Sequence, residues 1–334
     1  MRSPLGLWIS FTTLLLALPA CGGSSGSIDD GPPMVRPSEV VASGLGAVSD
    51  LEMDESFFYA IDSGTQQPSG NAARILRVPR AGGTPEVLAS GLEQVGFLVI
   101  DDDSLYFASL TSIYRLAKAG GSVEVVRTDA QMALDSLAVD DHALYYVDGP
   151  FQAIITIDKT SGESAVLHQG GTDIHGLTVY GDDLYYADVG TIYAIPRAGG
   201  EPRLIIDTPL SVPYPNQLAV DDSGVWWSAG EYSSSDRMAL GGLPTGAPAP
   251  LLLLSGVSNV RTVVSSGDYV FAAVYGFSSE PAPYSAVRAD KDGSVSGGLT
   301  ATTGSMGAFD LTVDDDHVYT VEPFTGNLLR TPRR

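Results

Sequence analysis

The chain of 334 residues has a single cysteine, Cys21, and only four histidines. One cysteine excludes a disulfide within the chain, and four scattered histidines argue against a histidine-rich metal centre. Basic residues are also scarce, with 18 Lys and Arg against 40 Asp and Glu and a formal net charge of -22. Nucleic-acid phosphates and anionic lipid headgroups repel such a chain, so no nucleic-acid partner is expected.

The N-terminus has an apolar run, Leu7 to Leu18, behind Arg2. The run is too short for a permanent membrane-spanning helix and predicts a signal peptide over residues 1–20. Its end, Leu18-Pro19-Ala20-Cys21, resembles a bacterial lipobox, although Pro19 stands where a small or hydroxyl residue is usual. The resemblance implies cleavage before Cys21 and lipid attachment to Cys21. The alternative is an incidental cysteine in a discarded leader.

Residues 21–37 are rich in Gly, Ser and Pro and contain too few apolar side chains for a core. This composition predicts a flexible tether between a lipid anchor and a folded body over residues 38–334. No Asp follows Cys21 directly. By resemblance to lipoprotein sorting in Gram-negative bacteria, this implies a cell-envelope address on the outer membrane.

One phrase recurs seven times along the body: a short apolar strand, an acidic turn, and a second strand that opens on an aromatic or apolar pair. The copies follow each other at about 39 to 49 residues, the length of a four-stranded propeller blade. They join Leu51–Met53 to Phe58–Tyr59, Leu98–Ile100 to Leu105–Tyr106, Leu137–Val139 to Leu144–Tyr145, Leu177–Val179 to Leu184–Tyr185, Leu218–Val220 to Val225–Trp226, Thr262–Val264 to Tyr269–Val270, and Leu311–Val313 to Val318–Tyr319.

The third copy shows how one repeat forms a blade. Leu137–Val139 alternates with the two-residue period of a strand, a turn follows, and Leu144–Val147 forms the second strand. Third and fourth strands are predicted at Ile154–Ile157 and Ala165–Leu167. The fold class is therefore all-β, a seven-bladed β-propeller of four-stranded antiparallel blades. The alternative is a six-bladed ring with one degenerate repeat.

The ends of the body predict how the ring closes. The last copy offers only three strands before the chain stops at Arg334. Residues 37–45 closely match residues 84–92, which form the outer strand of the first complete blade. Residues 39–42 are therefore expected to pair with the last blade and leave no open strand edge between the ends.

The second strands carry a family resemblance. Tyr145–Asp148, Tyr185–Asp188 and Tyr59–Asp62 resemble the Tyr-Trp-Thr-Asp repeats of low-density-lipoprotein-receptor propellers and the related NHL and TolB-like propellers. The other blades lack the final Asp of this motif and have Ser109, Ala229, Ala273 and Glu322 in its place. The motif Asp is mainly structural in that family, so the resemblance implies packing and bonding between blades and no particular activity.

Acidic runs occupy the turns between first and second strands, as in Asp101–Asp103, Asp140–Asp141 and Asp314–Asp316. Clustered carboxylates suit calcium, but these turns lack the alternating ligands and distant Glu of a calcium loop. Asp also favours tight turns through its own local hydrogen bonds. We interpret the runs as turn residues that make one rim of the ring strongly negative.

Few residues suggest chemistry. His168, Asp173 and His175 lie between the third and fourth repeats and form a weak candidate for a zinc or iron site. The alternative is a polar loop on the rim. The chain has no Gly-x-Ser-x-Gly elbow, His-Glu-x-x-His helix or phosphate-cradling loop. No cofactor is expected, and the enzyme hypothesis is weakened without being excluded.

Aromatic residues in the longer connections are the binding candidates. These connections are predicted on the face opposite the acidic turns, where they converge on the channel mouth and where propellers commonly bind partners. The alternative is that they pack on one another and cover the channel. The longest of these connections are predicted at Pro209–Asn216, Glu231–Arg237 and Tyr275–Tyr284. The candidate residues in them are Tyr214, Tyr232, Arg237, Tyr275 and Tyr284.

Three functions fit this sequence. The preferred one is a monomeric, membrane-anchored lipoprotein whose propeller is a non-catalytic platform for a protein or small-molecule ligand. The second is a propeller-type hydrolase or lyase, either metal-dependent or metal-independent. The third is an envelope-assembly partner of the TolB-like type. The geometry at the channel mouth is the observation that best separates them.

Overall fold

The protein is described from a computed structural model, which covers residues 35–63, 73–109, 111–128, 136–149, 151–207, 214–231, 234–257, 259–275, 284–301, 307–323 and 325–334. These residues form 28 strands arranged as seven four-stranded antiparallel sheets. The predicted seven-bladed β-propeller is therefore confirmed, and the six-bladed alternative is wrong. No helix in the described part of the chain is long and apolar enough to cross a membrane.

The first strand, β1 (Glu39–Ala42), belongs to the last blade, and blades 1 to 3 follow it in chain order. Blade 1 comprises β2 (Val48–Met53), β3 (Phe57–Asp62), β4 (Ala73–Pro79) and β5 (Glu86–Leu92). Blade 2 comprises β6 (Gly96–Ile100), β7 (Ser104–Ala108), β8 (Ser112–Ala117) and β9 (Glu124–Thr128). Blade 3 comprises β10 (Leu137–Val139), β11 (Ala143–Asp148), β12 (Ala153–Asp158) and β13 (Ser164–Gln169).

The remaining blades repeat this order, with the first strand of each blade lining the central channel. Blade 4 comprises β14 (Ile174–Tyr180), β15 (Asp183–Asp188), β16 (Thr191–Pro196) and β17 (Arg203–Asp207). Blade 5 comprises β18 (Tyr214–Asp221), β19 (Gly224–Glu231), β20 (Ser234–Pro244) and β21 (Leu251–Val257). Blade 6 comprises β22 (Val260–Ser266), β23 (Tyr269–Val274), β24 (Tyr284–Asp290) and β25 (Ser296–Ala301). Blade 7 comprises β26 (Asp310–Val313), β27 (His317–Glu322), β28 (Asn327–Pro332) and β1.

The ring closes as predicted. Strand β1 pairs antiparallel with β28, placing Glu39 opposite Arg330 and Val40 opposite Leu329. The Glu39 carboxylate also accepts from the Arg330 guanidinium at 2.6 Å. Closure therefore converts two strand edges, which would otherwise be free to pair with other chains, into one continuous sheet.

Blade 6 departs from the predicted register by one residue. Val263, rather than Thr262, takes the buried position before the turn and pairs with Ala272, and Val270 opens the buried part of the second strand. The five-residue spacing is the same in either register, so spacing could not distinguish them. Because side chains alternate along a strand, the shift turns Thr262 to the other face, where its hydroxyl donates to Asp310.

The core consists of apolar contacts between consecutive blades. The neighbours Trp226 and Trp227 on β19 show the pattern, since Trp226 packs toward blade 6 and Trp227 toward blade 4. Gly242 and Gly241 lie beside the two rings and leave no room for a Cβ. Burying each indole contributes about 3 kcal/mol, so every blade is stabilised by two neighbours at once.

The acidic turns are built as the sequence predicts. In blade 3 the Asp140 carboxylate accepts from the backbone N–H groups of His142 and Ala143, each at 2.7 Å. It also accepts from the Tyr145 hydroxyl at 2.8 Å. Asp101 and Asp314 make the corresponding bonds in blades 2 and 7. These carboxylates therefore hold turns, as interpreted from their local hydrogen-bonding preference.

A cation from the following blade pairs with the first Asp of each such turn, and the sequence analysis did not anticipate this contact. We call the surface formed by these turns the turn face and each cross-blade ion pair a latch. The latches neutralise part of the negative rim expected there. They are Lys118 with Asp54, Lys159 with Asp101, Arg197 with Asp140, Lys291 with Asp221, and Arg80 with Asp314.

The junction between blades 4 and 5 has neither half of a latch. Tyr180 stands where blade 3 has Asp140, and Thr245 stands where blade 4 has Arg197. The contact made there instead is a hydrogen bond from the Tyr180 hydroxyl to the exposed Asp222 carboxylate. Apolar packing of Ile192, Leu218 and Trp227 holds these two blades together.

Candidate functional site

The first strands of all seven blades surround a central cavity of about 750 Å³. At the face opposite the turn face its lining includes Val95, His175, Asn259 and Phe309. We call that end of the cavity the channel mouth. Its titratable and charged lining residues in the described part of the chain are Asp50, Glu52, His175, Arg261 and Asp310.

Asp310 connects three blades from the start of β26. One carboxylate oxygen accepts from the Leu51 N–H of blade 1 at 2.7 Å. The other accepts from its neighbour Leu311 at 2.8 Å and from the Thr262 hydroxyl of blade 6. The residue is 8% exposed. Its oxygens are therefore largely committed to holding the inner strands together.

Asp50 makes the equivalent connection from blade 1 to blade 2. Its carboxylate accepts from the N–H groups of Phe97 and Leu98, each at 3.3 Å. Phe97 has a φ of 56°, a left-handed conformation that costs a bulky residue about 1–3 kcal/mol. Asp50 helps to stabilise that backbone, and the Phe97 side chain is left 36% exposed at the channel mouth.

Blade 3 makes the same connection with a neutral side chain. The Ser136 hydroxyl accepts from the Gly176 N–H of blade 4 at 2.8 Å, and Gly176 has a φ of 62°. This position therefore serves blade-to-blade bonding whether it holds Ser or Asp. The bonding role needs an acceptor and does not need a charge.

Glu52 lies two residues beyond Asp50 on the same face of β2 and also lines the cavity. Burial and then repulsion from Asp310 and Asp50 raise the pKa of Glu52 to about 8. Burial likewise raises the pKa of Asp50, with repulsion from Asp310 adding to it, while Arg261 acts in the opposite direction. Burial raises the pKa of Asp310 as well. The channel therefore holds a group of carboxyls that resist simultaneous ionisation.

Arg261 is the cation at this end of the channel. Its guanidinium lies 5.0 Å from the centroid of the Phe309 ring, and Phe309 stacks on Tyr275 with centroids 4.3 Å apart. No carboxylate of the described residues forms an ion pair with the exposed Arg261 side chain. An exposed arginine therefore lies on an aromatic pair at the channel mouth, where it can bind an anionic group.

Of the predicted aromatic candidates, the structure brings Tyr275 to the channel mouth through this stack. Tyr284 opens β24, where its half-buried ring packs on the core between blades 5 and 6 and lies against Gly298. It lies in a strand and not in the expected loop, because β24 begins at that residue. Cys21 and Tyr232 lie outside the described residues.

The expected loop from Glu231 to Arg237 is wrong. Glu231 ends β19 and pairs with Ser234, so Arg237 lies within β20. Tyr214 likewise begins β18 and pairs with Gly230. Polar and Ser-rich composition suggested a long connection, but β20 already begins at Ser234, because backbone pairing does not depend on those side chains.

Of the three weak metal candidates, Asp173 and His175 contact each other and His168 lies on another strand. The Asp173 carboxylate lies 2.9 Å from His175 Nε2, and His175 lines the cavity from β14. His168 lies in β13 opposite Ile154 and stacks on Tyr186, with ring centroids 5.5 Å apart. Within the described ranges, no group of three His, Cys, Asp or Glu residues has the arrangement of a metal site. Both histidines belong to strands, so the predicted polar loop shrinks to residues 170–173.

The sequence analysis missed Asp50, Glu52, Arg261 and Asp310. A signal for two of them existed in the repeats themselves. Asp50 and Glu52 flank the buried Leu51, whereas blade 3 has Ser136 and Ala138 around Leu137. An acid on each side of that leucine is therefore an anomaly that a position-by-position comparison of the seven repeats reveals.

No protein-family model matches the chain, and no curated protein matches it. Solved structures do. A nidogen/laminin complex matches with a TM-score of 0.52 and 16% identity over 68% of this chain and 91% of that one. An oligogalacturonate lyase in complex with manganese has a TM-score of 0.60 and 14% identity over 83% and 85%. The N-terminal domain of Nup159 has a TM-score of 0.57 and 10% identity over 92% and 98%. These proteins share the propeller fold with this chain and differ from one another in function, so the likeness concerns the fold alone.

Proposed function

We propose that this chain is a lipid-anchored, monomeric protein of the bacterial cell envelope, held on the outer membrane, whose propeller binds a ligand at the channel mouth without transforming it. The observation that carries the binding role is the exposed Arg261 side chain on the Phe309–Tyr275 stack, beside the 750 Å³ cavity. Exposed aromatic and arginine side chains around a concave site are typical of recognition surfaces.

The binding role predicts that small ligands raise the melting temperature of the full-length chain in detergent. Arg261→Ala and Phe97→Ala should each abolish that rise, because both side chains border the channel mouth. Phe151→Ala is the matched control, since Phe151 is 60% exposed and is not among the cavity residues. Binding that survives both mouth variants would place the ligand elsewhere and contradict the proposal.

The anchoring role is supported by the lipobox-like sequence before Cys21. Cys21→Ser should release the protein from the membrane fraction, because a serine cannot carry the thioether-linked lipid. Ser24→Ala is the control and should leave the protein membrane-bound. Equal retention of wild-type and Cys21→Ser protein would show that the anchor is not at Cys21.

A catalytic role is the second candidate, since His175 pairs with Asp173 at the mouth and the pKa of Glu52 is raised to about 8. A carboxyl with a pKa near neutral pH, such as that of Glu52, suits general acid–base work. One of the fold neighbours is an oligogalacturonate lyase. Incubation with oligogalacturonate, followed by the absorbance of an unsaturated product, tests this. We expect no turnover, whereas turnover abolished by His175→Ala would replace the binding proposal with the enzymatic one.

A further inference from the structure

The charges of the channel are ordered along three adjacent inner strands. Arg261 on β22 precedes Thr262, whose hydroxyl donates to Asp310 on β26. Asp310 in turn accepts from the Leu51 N–H on β2, between Asp50 and Glu52. One arginine and three carboxyls thus follow one another from blade 6 across blade 7 to blade 1. Among the described residues that line the cavity, Arg261 is the one arginine or lysine.

These four charged groups differ in the hydrogen bonds that they make to the protein itself. The oxygens of Asp310 and Asp50 accept backbone N–H groups of neighbouring blades. Among the described residues, no neighbouring blade hydrogen-bonds to the Glu52 carboxyl, which accepts from the N–H of the next residue, Met53. The exposed Arg261 guanidinium lies over the Phe309 ring and forms no ion pair with a carboxylate of the described residues. Glu52 and Arg261 are therefore the charged groups that the fold leaves available to a ligand.

The carboxyls and the arginine of the channel mouth favour ligand groups of opposite charge. Three carboxyls that repel one another favour a bound ammonium group, which would lower their mutual repulsion. A carboxylate placed there would add to the repulsion, but at the mouth it could accept two parallel bonds from the Arg261 guanidinium. Phe97 and Phe309 offer apolar surface for the carbon atoms between or beside these groups.

We infer that the channel mouth binds a small zwitterion, a free amino acid or a dipeptide, with its ammonium group toward Glu52, Asp50 and Asp310 and its carboxylate on Arg261. The inference rests on the proposed ligand-binding function and specifies the ligand class for that site. The cavity of about 750 Å³ exceeds the volume of one amino acid, so a large side chain or a second residue fits beside bridging water.

Binding of this kind should release protons. An ammonium group favours ionised carboxyls, so a proton leaves Glu52, whose pKa in the free protein is about 8. The groups that face this region are Asp50 on the same strand, Asp310 on β26, Arg261 on β22 and His175 on β14, and Lys118 also lowers the pKa of Glu52. Affinity should therefore rise as the pH is raised from 6 to 8.

Calorimetry on the full-length chain in detergent tests the inference with the twenty L-amino acids at pH 8. The tightest binder is then measured as its N-acetyl derivative, which lacks the ammonium, and as its methyl ester, which lacks the carboxylate. Each derivative should bind about tenfold more weakly than the free amino acid, as expected for loss of one charge-assisted contact.

Two substitutions test which residue binds the carboxylate of the ligand and which binds its ammonium group. Arg261→Gln should weaken the free amino acid about tenfold and leave the methyl ester unaffected, and Glu52→Gln should weaken both and leave the N-acetyl derivative unaffected. Within the described part of the chain, neither side chain forms a hydrogen bond or ion pair with another blade, so both variants should fold. Glu55→Gln and Arg203→Gln, both on the exposed surface, are the controls and should change nothing.

The inference is wrong if no amino acid binds with a Kd below about 5 mM. It is also wrong if the N-acetyl derivative or the ester binds as tightly as the parent, since the ligand is then an anion or a cation. In either case the same assay with uronic acids, amino sugars and neutral sugars decides the broader proposal. Binding that Arg261→Gln or Phe97→Ala abolishes keeps the channel mouth as a ligand site, and absence of any such binding overturns both.

Discussion

Carboxylates at the two ends of the propeller respond to burial in opposite ways. On the turn face, burial acts to raise the pKa of Asp140, but bonds from Arg197, His142, Ala143 and Tyr145 outweigh it and lower that pKa. In the channel, burial raises the pKa of Glu52 to about 8, and neighbouring carboxylates add to the shift. Both residues are partly withdrawn from water. The partners that each carboxylate meets therefore decide whether its charge stabilises or destabilises the fold.

The largest expected effect comes from breaking a latch. Asp140→Ala removes the acceptor for two turn amides, for the Tyr145 hydroxyl and for Arg197, and should reduce the free energy of unfolding by about 2–4 kcal/mol at pH 7. Because the pKa of Asp140 is lowered in the fold, its contribution is present above the unfolded pKa near 4 and is lost as the pH falls further. Urea unfolding at pH 7 and pH 3 measures both effects.

Asp141→Ala is the control for the latch, because Asp141 is the next residue in the same turn and is exposed. Its free energy of unfolding should change by less than about 0.5 kcal/mol. Equal losses for the two substitutions would show that the latch geometry does not matter and that the turn merely prefers Asp.

A smaller effect, of opposite sign, is expected in the channel. Glu52→Gln should raise the free energy of unfolding by about 1–2 kcal/mol at pH 8 and leave it unchanged near pH 4.5. The pKa of Glu52 is raised in the fold, so its contribution is fully present below the unfolded pKa and is lost as the pH rises toward about 8. Urea unfolding of both proteins between pH 4.5 and pH 8 measures the difference.

Glu55→Gln, in the exposed turn that follows β2, should show no such pH-dependent difference from wild type. If Glu52→Gln is destabilising at pH 8, the Glu52 carboxylate makes favourable contacts in the fold, and the contrast between the two ends of the propeller fails.

The smallest effect tests the junction between blades 4 and 5, which lacks a latch. Tyr180→Asp together with Thr245→Lys places both halves of a latch there. Tyr180→Asp alone should be destabilising, because it removes the hydrogen bond from the Tyr180 hydroxyl to Asp222. The double variant should be about 0.5–1 kcal/mol more stable than the sum of the two single changes. Thr245→Met with Tyr180→Asp is the uncharged control, and strict additivity in both pairs would contradict the prediction.

The sequence predicted the fold well because blade identity rests on local signals. Leu137–Val139, the turn at Asp140 and the strand after it lie within one hairpin, and the match between residues 37–45 and 84–92 identified the closing strand. The predicted register of blade 6 was wrong because Thr262 and Val263 satisfy the same spacing. Only the partner on the next blade, Asp310, distinguishes them.

The site was harder to predict because its geometry depends on residues far apart in the chain. Leu51 and Asp310 are separated by 259 positions and yet share a hydrogen bond. The latches likewise join neighbouring blades, as in Lys118 with Asp54, and no motif within one repeat contains both partners. Sequence reasoning therefore favoured aromatics in connections such as Glu231–Arg237, where the structure continues a hairpin.

The pairing of β1 with β28 also sets the order in which the protein can be completed. The two strands lie far apart in the sequence, with 291 positions between Glu39 and Arg330. Their pairing therefore closes the longest loop among the described strands. Blades 1 to 6 can each form from neighbouring segments as they emerge, whereas β1 has no partner until residues 327–332 are available. Among the described strands, the first to leave the ribosome is thus the last to be paired, and through that interval its edge is open to pairing with other chains.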